Sequence, residues 1–215
     1  MGREFIPLFD NWAESYDNTV AGQDIQYREV FRNYNKILSD VVKHSGFNVL
    51  EFGVGTGNLT AKLAAAGKQV IGIEPSKTMR EIAKQKLPED VVVIDGDFID
   101  FPSPPFSPDT IVSSYAFHHL TNQEKREAIK QYGKILNEHG KIVFADTVFK
   151  DHKAFIAAIE NAKKKGFYQL AEDLETEHYP TISEMEAIFT SEYFRITFQQ
   201  YNDFAWVMEA VKMKT

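Results

Sequence analysis

Val49-Leu50-Glu51-Phe52-Gly53-Val54-Gly55-Thr56-Gly57-Asn58 is the stretch that decides the fold. The run 48–52 is apolar and suited to a buried strand, and three glycines at alternate positions lead into a helix expected at 58–66. Glycine here lets bare backbone approach a ligand at the carboxyl edge of a parallel sheet. A glycine loop alone is also compatible with nothing more than a tight turn. Two carboxylates give it chemistry: Glu51 stands two residues before Gly53, and Glu74 follows the next strand, 69–73. A carboxylate at that strand end can accept hydrogen bonds from both hydroxyls of a ribose.

The glycine spacing separates two nucleotide chemistries. The dinucleotide pattern G-x-G-x-x-G/A seats a pyrophosphate on the helix start. Counted from Gly53 and Gly55, its third place falls on Asn58, so the pattern fails. A nicotinamide oxidoreductase is therefore the weaker reading, and a ligand without a pyrophosphate the stronger.

Outward from the loop, β-branched runs alternate with helical stretches, which predicts βαβ units around a parallel sheet. Further strands are expected at 91–94, 110–114 and 141–145, with helices at 77–87 and 122–136 and Ser76 as an N-cap. Beyond Asp146 the pattern changes. Helices at 152–165, 168–177 and 183–189 precede strand-like runs at 193–200 and 204–211, joined by the turn pair Asn202-Asp203. Residues 1–45 carry Phe9, Trp12 and Tyr16, then a helical stretch with Val30, Ile37, Leu38 and Val41. The scheme is one domain, 1–215: a helical cover (1–45), a core (48–147), a helical insertion placed as a substrate lid (148–181), and a C-terminal helix and hairpin (182–215).

Composition narrows the partners. The 215 residues suit one α/β domain, and a formal net charge of −7 disfavours a nucleic-acid footprint and favours a small molecule. The one basic run, Lys163-Lys164-Lys165 before Gly166, reads as a helix end with cations on the negative dipole. No apolar stretch is long enough for a membrane span. The charged N-terminus, broken by Pro7, does not resemble a secretory signal, and with no cysteine the expected location is cytoplasmic. A monomer or homodimer is expected.

Glu51 to Gly57 resembles the first motif of class I S-adenosylmethionine-dependent methyltransferases. The resemblance extends to Glu74, to Gly96-Asp97-Phe98, to the stretch from Asp109 to Leu120, and to Asn11-Trp12-Ala13-Glu14-Ser15-Tyr16-Asp17. More narrowly, the whole chain resembles the YrrT family of methyltransferases of bacilli, notably from Gly2 to Phe9, Ser113 to Leu120 and Glu172 to Pro180. The resemblance implies an α/β, Rossmann-like class I methyltransferase fold. That fold is a mostly parallel seven-stranded sheet with a C-terminal antiparallel hairpin, and its cofactor is S-adenosyl-L-methionine. It also implies that Glu74 holds the ribose, that Asp97 sits by the adenine amino group, that the end of strand four with Ser114 lies near the methionine portion, and that the segment around Tyr16 closes over the cofactor. Glu51, Gly53, Gly55 and Gly57 complete the expected cofactor set. No acceptor is implied.

His118 and His119 are the candidates for a base or a contact to the methyl acceptor, and both can equally well satisfy local backbone. No metal is expected, because no acid joins them in sequence and strand four ends in serine. His178 and Tyr179 either line the acceptor pocket or end a helix. An alternative from another class is a cofactor-binding regulatory protein without turnover, whose binding loop would look the same.

Overall fold

The computed structural model describes residues 5–213, so part of the Gly2 to Phe9 resemblance lies outside the described residues. The N-terminal part forms α1 (Ile6–Val20) and α2 (Tyr34–His44). The core follows as β1 (Asn48–Phe52), α3 (Asn58–Ala65), β2 (Gln69–Ile73), α4 (Lys77–Lys86), β3 (Val92–Ile94), β4 (Thr110–Ser114), α5 (Asn122–Ile135) and β5 (Lys141–Thr147). Three helices, α6 (His152–Lys164), α7 (Tyr168–Thr176) and α8 (Ile182–Ser191), then precede β6 (Phe194–Gln200) and β7 (Ala205–Lys212).

The strands form one sheet in the order β3-β2-β1-β4-β5-β7-β6. Strands β1 to β5 pair in parallel, and β7 inserts antiparallel between β5 and β6. The expected seven-stranded sheet with its terminal hairpin is present. Between β1 and β4 the strand order reverses, and a ligand crevice opens at the carboxyl ends of strands at such a point. The glycine loop leaves β1 there.

Strand side chains alternate between two buried layers. Val49, Val112 and Val143 pack with Ile37 and Leu38 of α2 and Leu59 and Leu63 of α3. Leu50, Phe52, Ile111 and Phe144 pack on the other face with Ile129 and Tyr132 of α5 and Phe189 of α8. Burial on both faces explains why the centres of these strands are apolar on both sides rather than alternating.

Three local outcomes differ from the sequence reading. Strand β5 runs on to Thr147, because β7 supplies partners for the extra residues through Asp146↔Trp206 and Thr147↔Ala205. Val30 is not on the α2 helix, which starts only after Asn33 at φ 70°. Asn202 is more than an exposed turn residue: its amide donates to Val30 O at 3.1 Å and Arg32 O at 2.8 Å. Its Oδ1 accepts from the N–H groups of Phe204 at 2.8 Å and Ala205 at 2.6 Å, so one buried side chain ties the hairpin to the N-terminal segment.

Candidate active site

A cavity lies at the β1/β4 crevice. Gly53, Gly55, Glu74, Asp97, Ser114 and Tyr16 of the expected cofactor set line it, as does His119. Gly53 sits at φ +68°, and a Cβ there would fall 2.6 Å from Ala116 Cβ, so only glycine fits. Gly55 at φ +56° would find open space around a Cβ, leaving its backbone bare to an occupant.

Glu74 is held by two backbone donors, Gly55 N–H to Oε2 and Ser76 N–H to Oε1, each at 2.8 Å. Burial pushes its carboxyl up to about 7, against the pull of those two donors. Further donors, such as the hydroxyls of a ribose, favour its charged form. The residues present therefore fit a nucleoside-bearing cofactor. Asp97 is divided between two roles: it lines the cavity, and its Oδ1 also accepts from Ile99 N–H at 2.9 Å and Asp100 N–H at 2.8 Å.

Glu51 and Gly57 do not line the cavity. Glu51 shares the strand face of Val49, so it points into the layer under α3, where both carboxylate oxygens are buried without a hydrogen-bond partner. Burial pushes it up to about 8, with Thr60 of α3 opposing and the nearby Glu74 charge adding. Gly57, at φ 88°, makes the entry into α3.

Helix α1 lies against this cavity through Phe9, Trp12 and Tyr16, and two carboxylates fasten it. Ser76 Oγ donates to Asp10 at 2.6 Å. Asp17 accepts from Thr56 Oγ1 at 2.7 Å and Asn58 Nδ2 at 3.0 Å and pairs with Lys86. Composition offered no signal for these ties. Nor did it for Tyr115, which follows β4 at φ 52°, an uncommon conformation for a bulky residue, and lines the same cavity.

A second cavity shares Trp12, Tyr16, Tyr115 and His119 with the first. His118, Asp173, Glu177 and Tyr179 also line it. His118 Nδ1 meets Asp146 Oδ1 at 2.5 Å, and its Nε2 lies 3.2 Å from Glu177 Oε2. Burial acts to lower the His118 pKa, but the two carboxylates outweigh it and raise it to about 10. His119 goes the other way, down to about 3, through burial and the neighbouring His118 charge.

No acid joins the histidines in sequence, but one reaches them in space. Glu177 arrives from the end of α7, distant in sequence, because the insertion folds back over the strand ends. Tyr179, left open between pocket and helix end, stacks on His118 at 4.7 Å and donates its hydroxyl to Glu177. His178 contributes its carbonyl, which accepts from Lys125 Nζ at 2.8 Å.

Residues 49–140 match the family described as a methyltransferase domain. An uncharacterized methyltransferase of Bacillus licheniformis is 76% identical over 99% of this chain and all of that protein. The uncharacterized methyltransferase YrrT of Bacillus subtilis is 63% identical, again over 99% of this chain and 100% of the relative.

The chain belongs to the YrrT family of methyltransferases.

Solved structures agree on the family's fold. Magnesium protoporphyrin IX methyltransferase from Synechocystis PCC 6803 with bound SAH has a TM-score of 0.69 at 15% identity, covering 96% of this chain and 99% of that one. The DhpI–SAH complex has a TM-score of 0.72 at 14% identity, covering 100% and 98%. The chain is an S-adenosylmethionine-dependent methyltransferase of the Rossmann-like class I fold. Among the described residues no helix is long and apolar enough to cross a membrane.

Proposed function

We propose that this methyltransferase acts on a small-molecule acceptor seated in the second cavity, with the cofactor in the first. The carrying observation is the common wall: Trp12, Tyr16, Tyr115 and His119 belong to both spaces, so occupants of the two would meet there. The aromatic lining of the second cavity suits a small ligand, and the net charge of −7 disfavours a nucleic acid.

In this reading Glu74 accepts from the ribose hydroxyls, Asp97 faces the adenine, and Gly53 and Gly55 admit the methionine end. The cofactor supplies a methyl group on a sulfonium, and the thioether that departs is neutral. No group of the protein has to protonate it. The chain's main task is alignment, and a near-attack geometry supplies about 7–11 kcal/mol of the barrier. Helix α1 and the aromatic wall exclude water from the point of transfer.

The test is S-adenosylhomocysteine formation with a panel of small metabolites. Turnover with an acceptor whose KM rises in second-cavity variants supports the reading. Cofactor binding without turnover across a broad panel favours a regulatory protein instead.

A further inference from the structure

We infer that His118, His119 and Glu177 form a binding site for a divalent transition-metal ion of the zinc class, in the wall of the second cavity. One ligand atom from each residue lies within 4.8 Å of the other two. The individual spacings are 3.2 Å from His118 Nε2 to Glu177 Oε2 and 3.6 Å from His119 Nδ1 to Glu177 Oε1. Donors around a tetrahedral ion bound at roughly 2.0–2.1 Å stand about 3.3 Å apart, so the two imidazoles, which face opposite oxygens of Glu177, would draw together around an ion.

A second observation points to a ligand. His119 is 7% exposed, and its Nδ1 is buried with no hydrogen-bond partner. A buried unpartnered imidazole nitrogen facing a carboxylate is costly unless something sits between them. The outer contacts are those a metal site needs. Asp146 engages His118 Nδ1 at 2.5 Å and is itself fixed by the N–H groups of His118 at 3.0 Å and Thr147 at 2.7 Å. That leaves His118 Nε2 as the ligating atom. Tyr179 donates to Glu177 and orients its carboxylate.

Two imidazoles with one carboxylate suit zinc or a neighbouring dication, and three protein ligands leave a fourth position open. Its use, though not the binding itself, rests on the acceptor reading above. An acceptor hydroxyl or thiol whose donor atom takes that position releases its proton to water. Its lone pair then forms the bond to the methyl carbon as the carbon–sulfonium bond breaks, with that electron pair retained by the departing sulfur.

The experiment is titration of untagged, chelator-stripped protein with Co2+, followed by its visible absorption, and then displacement by Zn2+. The chain has no cysteine, so no thiolate site competes. One equivalent is expected to bind with a micromolar or tighter constant. Glu177→Gln should weaken binding at least a hundredfold and Asp146→Asn about tenfold, while His152→Ala, on the exposed start of α6, leaves it unchanged. S-adenosylhomocysteine affinity, measured on the same samples, reports that Glu177→Gln is folded, since Glu177 lies outside the first cavity. Absence of saturable binding to the parent, or equal binding by parent and Glu177→Gln, overturns the site. Neither result touches the methyl-transfer reading, which fails only if the parent forms no S-adenosylhomocysteine.

Discussion

Thr56 and Asp17 join the glycine loop to the first helix: Thr56 Oγ1 donates to Asp17 Oδ1 at 2.7 Å. With Asn58 and Lys86 on the same carboxylate, this tie sets how far α1 can lift from the cofactor cavity. Asp17 is 44% exposed at its side chain, which moderates its strength. Asp17→Ala should cost about 1–2 kcal/mol of cofactor binding, roughly a five- to thirtyfold loss of affinity. Calorimetry with S-adenosylhomocysteine checks this, and an unchanged constant would show that α1 is held by packing alone.

The same helix and the α6–α7 insertion form the cover in this reading. Saturating S-adenosylhomocysteine is expected to slow hydrogen exchange in α1 and α7 relative to the cofactor-free protein. Equal protection in both states would identify a fixed cover rather than a lid.

Glu74 makes the strongest single claim on the cofactor. Glu74→Ala removes two charge-assisted acceptors and frees the N–H groups of Gly55 and Ser76. A loss of about 2–4 kcal/mol is expected, roughly thirty- to a thousandfold in affinity. NAD should not bind measurably to the parent. An affinity within threefold of the parent, at unchanged melting temperature, would remove Glu74 from the ribose.

Glu51 gives the cofactor-free protein a pH dependence of definite sign. Its folded-state pKa, about 8, lies above the ordinary carboxylate value, so the native state holds a proton that the unfolded state has released. The associated stability is complete below about pH 4.5 and is lost as pH rises through 8. Glu74, raised to about 7, acts in the same direction. Glu51→Gln should flatten the slope and raise stability at pH 8.5 by about 2–4 kcal/mol. Parallel curves of unfolding free energy against pH for parent and variant would contradict this.

Asn202→Ala strips four hydrogen bonds from a residue only 4% exposed. The orphaned carbonyls and N–H groups should destabilise the fold by about 2–4 kcal/mol, read as a lower denaturant midpoint at constant m. A change under about 0.5 kcal/mol would mean that water replaces the amide.

What the sequence determined by itself is local. Short strand-forming runs bounded by turn residues set β1, β2 and β4 to the residue, because period and turn chemistry act over a few neighbours. The same locality placed Gly53, Gly55 and Glu74 at one sheet edge, since a carboxylate ending one strand lies beside the loop leaving its parallel neighbour. The pleat likewise determines that Glu51 shares Val49's face and so faces the α3 layer.

Only the tertiary structure decided the rest. Thr56 meets Asp17, Asn202 meets Val30, and Glu177 meets His118 and His119 across separations that no propensity spans. Those meetings follow from where β5 ends and how the insertion returns over it. They depend on packing whole elements against one another, and the energy that selects such packing comes from surfaces which a linear pattern does not bring together.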